Sequence, residues 1–275
     1  MKIAAIARNP IHSPNMTAND TAILECTAHE LRNRGIVVTM ADEQSMPHDA
    51  DAIFHMSRSH NILQHLKDAE KSGIMVINSP EAVENCSRSR LMQCLDGAGI
   101  LQPPFTLVNS CENLDRHQYP AWIKRADGWS SHSDDVCFAP DAAAAAQAIE
   151  AMHNRGIAGC IHCKHIEGDI IKFYGIGNRF FHYSYPDPEK SKFGLEKING
   201  TPHRYPFSID QMKETVYMAA EAIGLEIYGG DCIVDSKGNI FIIDLNDFPS
   251  FSAIRPEAAK EIAEYIMEKI KQNRI

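Results

Sequence analysis

The chain has 275 residues, of which 44% are hydrophobic and 23% are charged, proportions that exclude a fibrous repeat or a disordered chain. Its 27 basic and 36 acidic residues give a net charge of −9, which argues against a nucleic-acid groove or an anionic membrane surface as the main partner. No apolar run reaches the roughly 18 residues that a membrane helix needs, and the first apolar run is too short for a signal peptide. Eight cysteines spread through a chain of this length are typical of reduced thiols, so we expect a cytoplasmic protein.

Strands and helices alternate over the first part of the chain. Four short apolar runs predict strands, at 2–7, 35–40, 52–56 and 73–78. Helical patterns lie between them, at about 19–34 and 61–71. This alternation indicates parallel βαβ units and an α/β domain over residues 1–78. No G-x-G-x-x-G follows the first strand, so a dinucleotide fingerprint is absent.

The next two segments have different patterns. Ser79-Pro80 begins a helix, and Ser87 begins a second one that ends at Gly97 to Gly99, so residues 79–104 are predicted to be a helical linker with an extended, proline-containing end. AWIK (121–124) and VCFA (136–139) then predict two strands, followed by a helix over 141–155 and a strand in GCIHCKHI (159–166). We therefore expect a compact α+β lobe over 105–165.

The last segment, 166–275, combines a strand, a long loop, a hairpin and two helices. DIIKFYGIG (169–177) predicts a strand, and the polar, aperiodic stretch 181–206 predicts a functional or disordered loop. Ser208 to Gln211 is a capping box that opens a helix ending at Ile223. YGGDCIV (228–234) and NIFIIDL (239–245) predict a hairpin across the turn 235–238, and Pro256 starts an amphipathic final helix.

Three oxygen-bearing side chains on the hairpin are the sharpest chemical signal. Asp244 and Asn246 have the same strand parity, and Asp231 can lie opposite them on the partner strand. A solvated strand end would also explain this spacing. However, the surrounding residues are strongly apolar, and a carboxylate among buried strands needs a cation or a proton. Two carboxylates and a carboxamide suit Mg²⁺ better than zinc.

Three basic residues occupy positions that are unusual for a cation. Lys124 ends an apolar strand, Lys172 lies inside a strand, and Arg90 lies in the first turn of a helix, beside the positive end of the helix dipole. Each alone is more easily explained as a solvated or snorkelling side chain. Together with the carboxylate cluster, they indicate a nucleoside triphosphate.

The order of these motifs resembles the ATP-grasp superfamily, and most closely its glutathione synthetase-like and ribosomal-protein glutamate ligase-like branch. The resemblance covers about 75–255 and is carried by Arg90, PAWIK, IHCKHIEGDIIKFYGIG and YGGDCIVDSKGNIFIIDLNDFPSF. It implies an N-terminal parallel α/β (pre-ATP-grasp) domain followed by a two-lobed ATP-grasp fold that binds ATP between its lobes. The cofactors it implies are ATP and Mg²⁺, with Mn²⁺ as an alternative ion.

The resemblance also implies roles for individual residues. Arg90 and Lys124 would bind phosphates, Lys164 and Ile166 would lie in the hinge whose backbone contacts adenine, and Lys172 would be the basic residue of the following strand. Asp231, Asp244 and Asn246 would be the metal triad, in which Asp244 replaces the more frequent glutamate. The loop after Lys124, normally glycine-rich, reads ADGWSSHSDD, so Gly128, Ser130 and His132 would have to cover the phosphates.

The implied activity is ligation of a small carboxylate to an amine through an acylphosphate, with release of ADP and phosphate. Lys172 and Arg255 are the candidate catalytic cations, and Arg255, His203 and Arg204 are candidate contacts for a substrate carboxylate. The expected partner is a small-molecule substrate rather than nucleic acid or membrane, and a homodimer is compatible with the architecture.

Three other readings differ from this ligase. KFYGIG also resembles the K-x-Y-x-x-G strand of ATP-grasp kinases that act on inositol phosphates, although a net charge of −9 disfavours a densely phosphorylated substrate. The glycine-poor loop is compatible with a protein that binds ATP without turnover. A zinc module on Cys160, His162, Cys163 and His165 is disfavoured, because Cys163 and His165 would face one side of the strand and His162 the other.

Overall fold

The structure is a computed structural model that describes residues 1–45, 49–130, 132–187, 198 and 200–272. Its strands are β1 (Lys2–Ile6), β2 (Val37–Ala41), β3 (Ala52–His55), β4 (Met75–Ile77), β5 (Phe105–Val108), β6 (Ala121–Arg125), β7 (Val136–Ala139), β8 (Cys160–Lys164), β9 (Asp169–Ile176), β10 (Phe180–Ser184), β11 (Ile227–Val234) and β12 (Ile240–Asp247). Its α-helices are α1 (Thr17–Asn33), α2 (His60–Lys71), α3 (Pro80–Asn85), α4 (Arg88–Gly97), α5 (Ala142–Asn154), α6 (Ile209–Ile223) and α7 (Arg255–Gln272).

The first sheet is parallel, with the strand order β2-β1-β3-β4, as the sequence predicts. Successive residues of β1 face opposite layers. Ile3 and Ala5 pack with α1 and with the C-terminal helix α7, whereas Ala4 and Ile6 pack with α2. The amphipathic face of α7 is therefore buried on the first domain of the chain.

The second sheet, β5-β8-β6-β7, is antiparallel, and together with α5 it is called the lid lobe below. Ile123 of β6 packs with α5 on the outer face, so Trp122 and Lys124 lie on the opposite, inner face. The sequence predicts only an extended path around the prolines at 103 and 104, whereas the structure adds strand β5. Its pairing with β8, a partner more than fifty residues away, supplies what local pattern could not show.

The third sheet, β10-β9-β11-β12, is also antiparallel. Phe173, Cys232 and Leu245 pack with α6 on one face, which leaves the other face for the functional residues. The predicted loop over 181–206 is wrong in its first part, because residues 181–184 belong to strand β10, which pairs with β9. The side chains of β10 are only half-buried. Residues 188–197 and 199 of that predicted loop lie outside the described residues.

Two of the predicted helix starts, at Ser79 and Ser208, are confirmed by capping hydrogen bonds. The Ala82 amide donates to Ser79 Oγ at 3.1 Å at the start of α3, and the Gln211 amide donates to Ser208 Oγ at 3.2 Å at the start of α6. Within the described residues, no helix has the length and apolar character needed to cross a membrane.

Candidate nucleotide and metal site

The structure brings the three predicted metal-binding side chains onto one face of the third sheet. Asp231 lies directly opposite Asp244, and between this pair and the next one, Cys232 and Ile242, the register skips Ile243. This bulge matters because Ile242 packs toward α6, and strict alternation would direct Asp244 to the same side. The extra residue turns Asp244 and Asn246 to the face that carries Asp231.

Hydrogen bonds tie this group to a neighbouring cation. Lys172 Nζ lies 2.9 Å from Asp231 Oδ1, and Asn246 Nδ2 donates to Asp244 Oδ2 at 2.8 Å. Lys172 is the register partner of Asp231 on β9. The structure therefore places Lys172 beside the carboxylates, as a cation that limits their mutual repulsion.

Lys124 and Arg88 approach the carboxylates from the side of the lid. Burial lowers the pKa of Lys124, the nearby Arg88 lowers it further, and the carboxylates of Asp244 and Asp231 oppose the shift. Burial also lowers the pKa of Arg88, again opposed by Asp244. Neither cation forms an ion pair with the described residues, and a phosphate chain between these elements would supply the missing anion.

Arg88, two residues before the predicted Arg90, is the arginine of α4 that contacts the loop after Lys124. Its guanidinium donates to the Arg125 carbonyl at 2.9 Å and to Ser130 Oγ at 3.1 Å, so it holds the loop that follows Lys124. Arg90 has a side chain that is 55% exposed and lies 3.4 Å from Glu84. The structure thus does not bring Arg90 to the other predicted phosphate-binding residues.

The loop after Lys124 is held by local contacts. Gly128 has a φ of +60°, in the left-handed region that favours glycine. Ser130 accepts the hydrogen bond from Arg88. His132 is 57% exposed, and its Nδ1 accepts from the Asp134 amide at 3.2 Å, so it caps a short 3₁₀ turn. His132 therefore serves the loop rather than the cleft.

The two hinge residues differ in exposure. The Lys164 side chain is exposed and the Ile166 side chain is half-buried. The Lys164 amide donates to the Pro104 carbonyl at 2.9 Å, and the neighbouring His165 amide donates to Pro120 at 3.0 Å. The Lys164 and His165 amides are therefore engaged in hydrogen bonds and do not point freely at a base.

The predicted substrate contacts do not converge on the carboxylates. Arg255 begins α7 and donates to Asn19 Oδ1 of α1 at 2.9 Å, while its Nε is buried without a partner among the described residues. The ring of His203 stacks on Tyr205, and the guanidinium of Arg204 lies 5.0 Å from the ring centre of Tyr185. His203 and Arg204 are thus exposed residues beside Tyr185 and Tyr205, which pack against the same core as α6.

A buried ion cluster beside the site was not predicted. Asp247, 1% exposed, accepts from Arg8 at 2.9 Å and from Arg58 at 2.7 Å, and Arg8 also pairs with Asp20 at 2.9 Å. Arg8 and Arg58 follow β1 and β3, at the carboxyl ends of parallel strands, where ligand sites commonly form. That position, and a second acid in the run FIIDLND (241–247), are the signals that could have revealed the cluster.

The donor set fits magnesium in combination with phosphate. The described residues hold no group of three or more histidine, cysteine or acidic side chains placed for a metal ion. Asp231, Asp244 and Asn246 supply two carboxylates and one amide, which is few for a protein-only site. Mg²⁺ commonly binds one or two carboxylates and completes its shell with phosphate oxygens and water, and the three residues match that requirement.

Several solved structures have the same architecture as this chain, although comparison of its sequence gives no match. No protein-family model matches the chain, and no curated protein is significantly similar to it. D-alanine–D-alanine ligase from Bacillus anthracis superposes with a TM-score of 0.72 at 13% identity, over 100% of this chain and 98% of that one.

Two further structures agree. A RimK-domain ATP-grasp protein from Sphaerobacter thermophilus gives a TM-score of 0.69 at 14% identity, over 97% of this chain and 100% of that one. The ATP-grasp ligase PsnB, complexed with a minimal precursor, gives 0.65 at 17% identity, over 98% of both chains. The chain therefore has the ATP-grasp fold, with a parallel α/β domain in front of it.

Proposed function

We propose that the protein is an ATP- and Mg²⁺-dependent ligase that joins a small carboxylate to an amine and releases ADP and phosphate. One observation carries the proposal: Lys124 on the lid and Arg88 on α4 both lie close to Asp244 on the third sheet, and Lys172 pairs with the adjacent Asp231. Similar solved structures support it, because two of them are described as ligases.

The cations would hold the triphosphate and spread its charge. Lys124, half-buried on the inner face of the lid, would contact the phosphate nearer the nucleoside, as the resemblance implies. Arg88 would bind a second phosphate with the donors that remain after its contacts to the loop. Lys172 would exchange part of its contact with Asp231 for phosphate oxygen.

Bound Mg²⁺ would neutralise phosphate charge, held by Asp231, Asp244 and Asn246. An oxygen of the substrate carboxylate then attacks the γ-phosphorus, the bond to the ADP oxygen breaks, and an acylphosphate forms. The amine attacks the acyl carbon, phosphate leaves, and the nitrogen loses a proton to give the amide. The chain's own work is positioning and electrostatic stabilisation.

The decisive experiment separates ligase, kinase and binding protein. Purified protein with Mg·ATP is offered amino acids, dipeptides and small dicarboxylates, first with amines and then with hydroxylamine, while ADP is measured. The ligase produces ADP that depends on the carboxylate, and hydroxylamine converts the acylphosphate into a hydroxamate. ADP release that depends on a polyol, with a stable phosphate ester as product, would establish the kinase instead. Tight Mg·ATP binding without ADP across all substrates would contradict catalysis.

A further inference from the structure

Trp129 lies where the lid loop, the first domain and the third sheet meet. The loop leaves β6 directly after Arg125 and is fastened at its base, where the Ser89 amide of α4 donates to the Ala126 carbonyl at 3.0 Å. At its other side Ser130 accepts from Arg88. Between these two attachments, the Trp129 side chain extends out of the lid and packs against the cores of both other units.

Two side chains of the first domain contact the indole ring of Trp129. The Arg58 guanidinium carbon lies 4.9 Å from the Trp129 ring centre, and the His12 ring meets it edge-on at 6.1 Å. Stacking of a guanidinium on an indole is a favourable cation–π contact, strongest where water is excluded. Arg58 is 7% exposed and is itself fixed by Asp247, the residue after Asn246.

The docked indole ring has one polar group that is not satisfied. Trp129 Nε1 is buried and has no hydrogen-bond partner among the described residues. A buried donor without an acceptor costs free energy, so the docked loop is held by stacking and opposed by its own N–H. Such a balance allows a loop to leave and return.

We propose that Trp129 is a positioning residue that docks the phosphate-covering loop on Arg58 and His12, and so closes the reaction chamber of the proposed ligase against water. In this chain the loop is poor in glycine, and the side chain of Trp129 holds it in the docked position. The proposal rests on the proposed function for its consequence in catalysis, but the docking of Trp129 on Arg58 does not depend on it.

The docking is tested without turnover. The chain has two tryptophans, so in W122F the emission comes from Trp129 alone. We expect blue-shifted emission and slow quenching by acrylamide, both without nucleotide and with Mg·ATP. Adding R58K, which keeps the charge at Asp247 but removes the planar partner, should raise the quenching constant at least about twofold. Rapid quenching in W122F alone, or an unchanged constant with R58K, would overturn the docking.

The catalytic consequence is tested with W129F and W129A. If the docked loop excludes water, W129A should release more ADP per amide formed, because water then captures the acylphosphate. We expect this ratio to rise at least about twofold in W129A and to stay near the wild-type value in W129F, which keeps an aromatic ring. Equal ratios in all three proteins would refute the role in water exclusion. If no substrate supports turnover, the quenching data still decide the docking.

Discussion

Replacing Arg88 or Arg90 by alanine distinguishes the phosphate site that we propose from the one that the sequence predicts. Both arginines lie in the first turn of α4. Arg88 contacts the loop after Lys124 and feels the charge of Asp244, whereas Arg90 is exposed beside Glu84. We expect R88A to weaken ATP binding strongly and R90A to leave it nearly unchanged.

The size of each effect follows from the environment of each side chain. A hydrogen bond to a charged group contributes about 1.5–3 kcal/mol, so the loss of one Arg88–phosphate contact should raise the KM for ATP about 10- to 100-fold. R88A also removes the donors to Arg125 and Ser130, which loosens the loop. An exposed ion pair contributes about 0–1 kcal/mol, so R90A should change the KM less than about fivefold.

The measurement is the Kd for Mg·ATP by calorimetry and the KM by coupled ADP detection, with Tm for each variant. R88K serves as the matched control, because it keeps the charge but cannot donate to Arg125 and Ser130 with the same fork; an intermediate KM is expected. If R90A weakens binding more than R88A does, at equal Tm, the placement of the phosphates beside Arg88 is wrong.

Three further outcomes are expected. D244N, which removes one carboxylate charge, should lower kcat at least about 100-fold with unchanged circular dichroism; wild-type turnover would contradict the metal site. Asn78 joins the first domain to β11 through hydrogen bonds with the Glu226 amide, the Ile227 amide and the Ile227 carbonyl at 2.8–2.9 Å. In urea unfolding, N78A should therefore lower the free energy of unfolding by about 3 kcal/mol. A decrease of less than about 0.5 kcal/mol would contradict this link between the two units. Burial lowers the pKa of His55 from 6.5 to about 4. As the pH falls from 6.5 to 4, the unfolded chain therefore binds a proton at His55 before the folded protein does, and the free energy of unfolding should decrease by up to about 1.4 kcal/mol per pH unit. The variant H55Q should show a smaller decrease over the same pH range.

Much of the fold follows from local sequence signals. Apolar runs separated by helical patterns predict the parallel sheet, and the capping serines at 79 and 208 predict helix starts that the structure confirms. Strands β5 and β10 escaped prediction because their residues carry no strict alternation. They are ordered by neighbours, β8 and β9, whose position only the tertiary fold supplies.

The site could be predicted in composition but not in detail. Parity alone places Asp244 and Asn246 together, but it also groups them with Ile242, and only the bulge at Ile243 separates these side chains. The sequence alone could have distinguished Arg88 from Arg90. Arg88 precedes the buried Leu91 and Met92 by three and four residues and so shares their face of α4, whereas Arg90 lies about 200° away from Arg88 around the helix.

Charge balance separates the two ionic groups that lie next to each other in the cleft. Arg8 and Arg58 are matched by Asp20 and Asp247, so this buried cluster is neutral and joins the first domain to β12. Arg88, Lys124 and Lys172 lie close to Asp231 and Asp244, and the Asp135 carboxylate also acts on Arg88. A triphosphate with a bound divalent cation is still an anion, and it complements the second group but not the first. This acidic chain therefore places three cations where the proposed nucleotide would lie, whereas the neutral cluster beside them holds Arg58 in contact with Trp129.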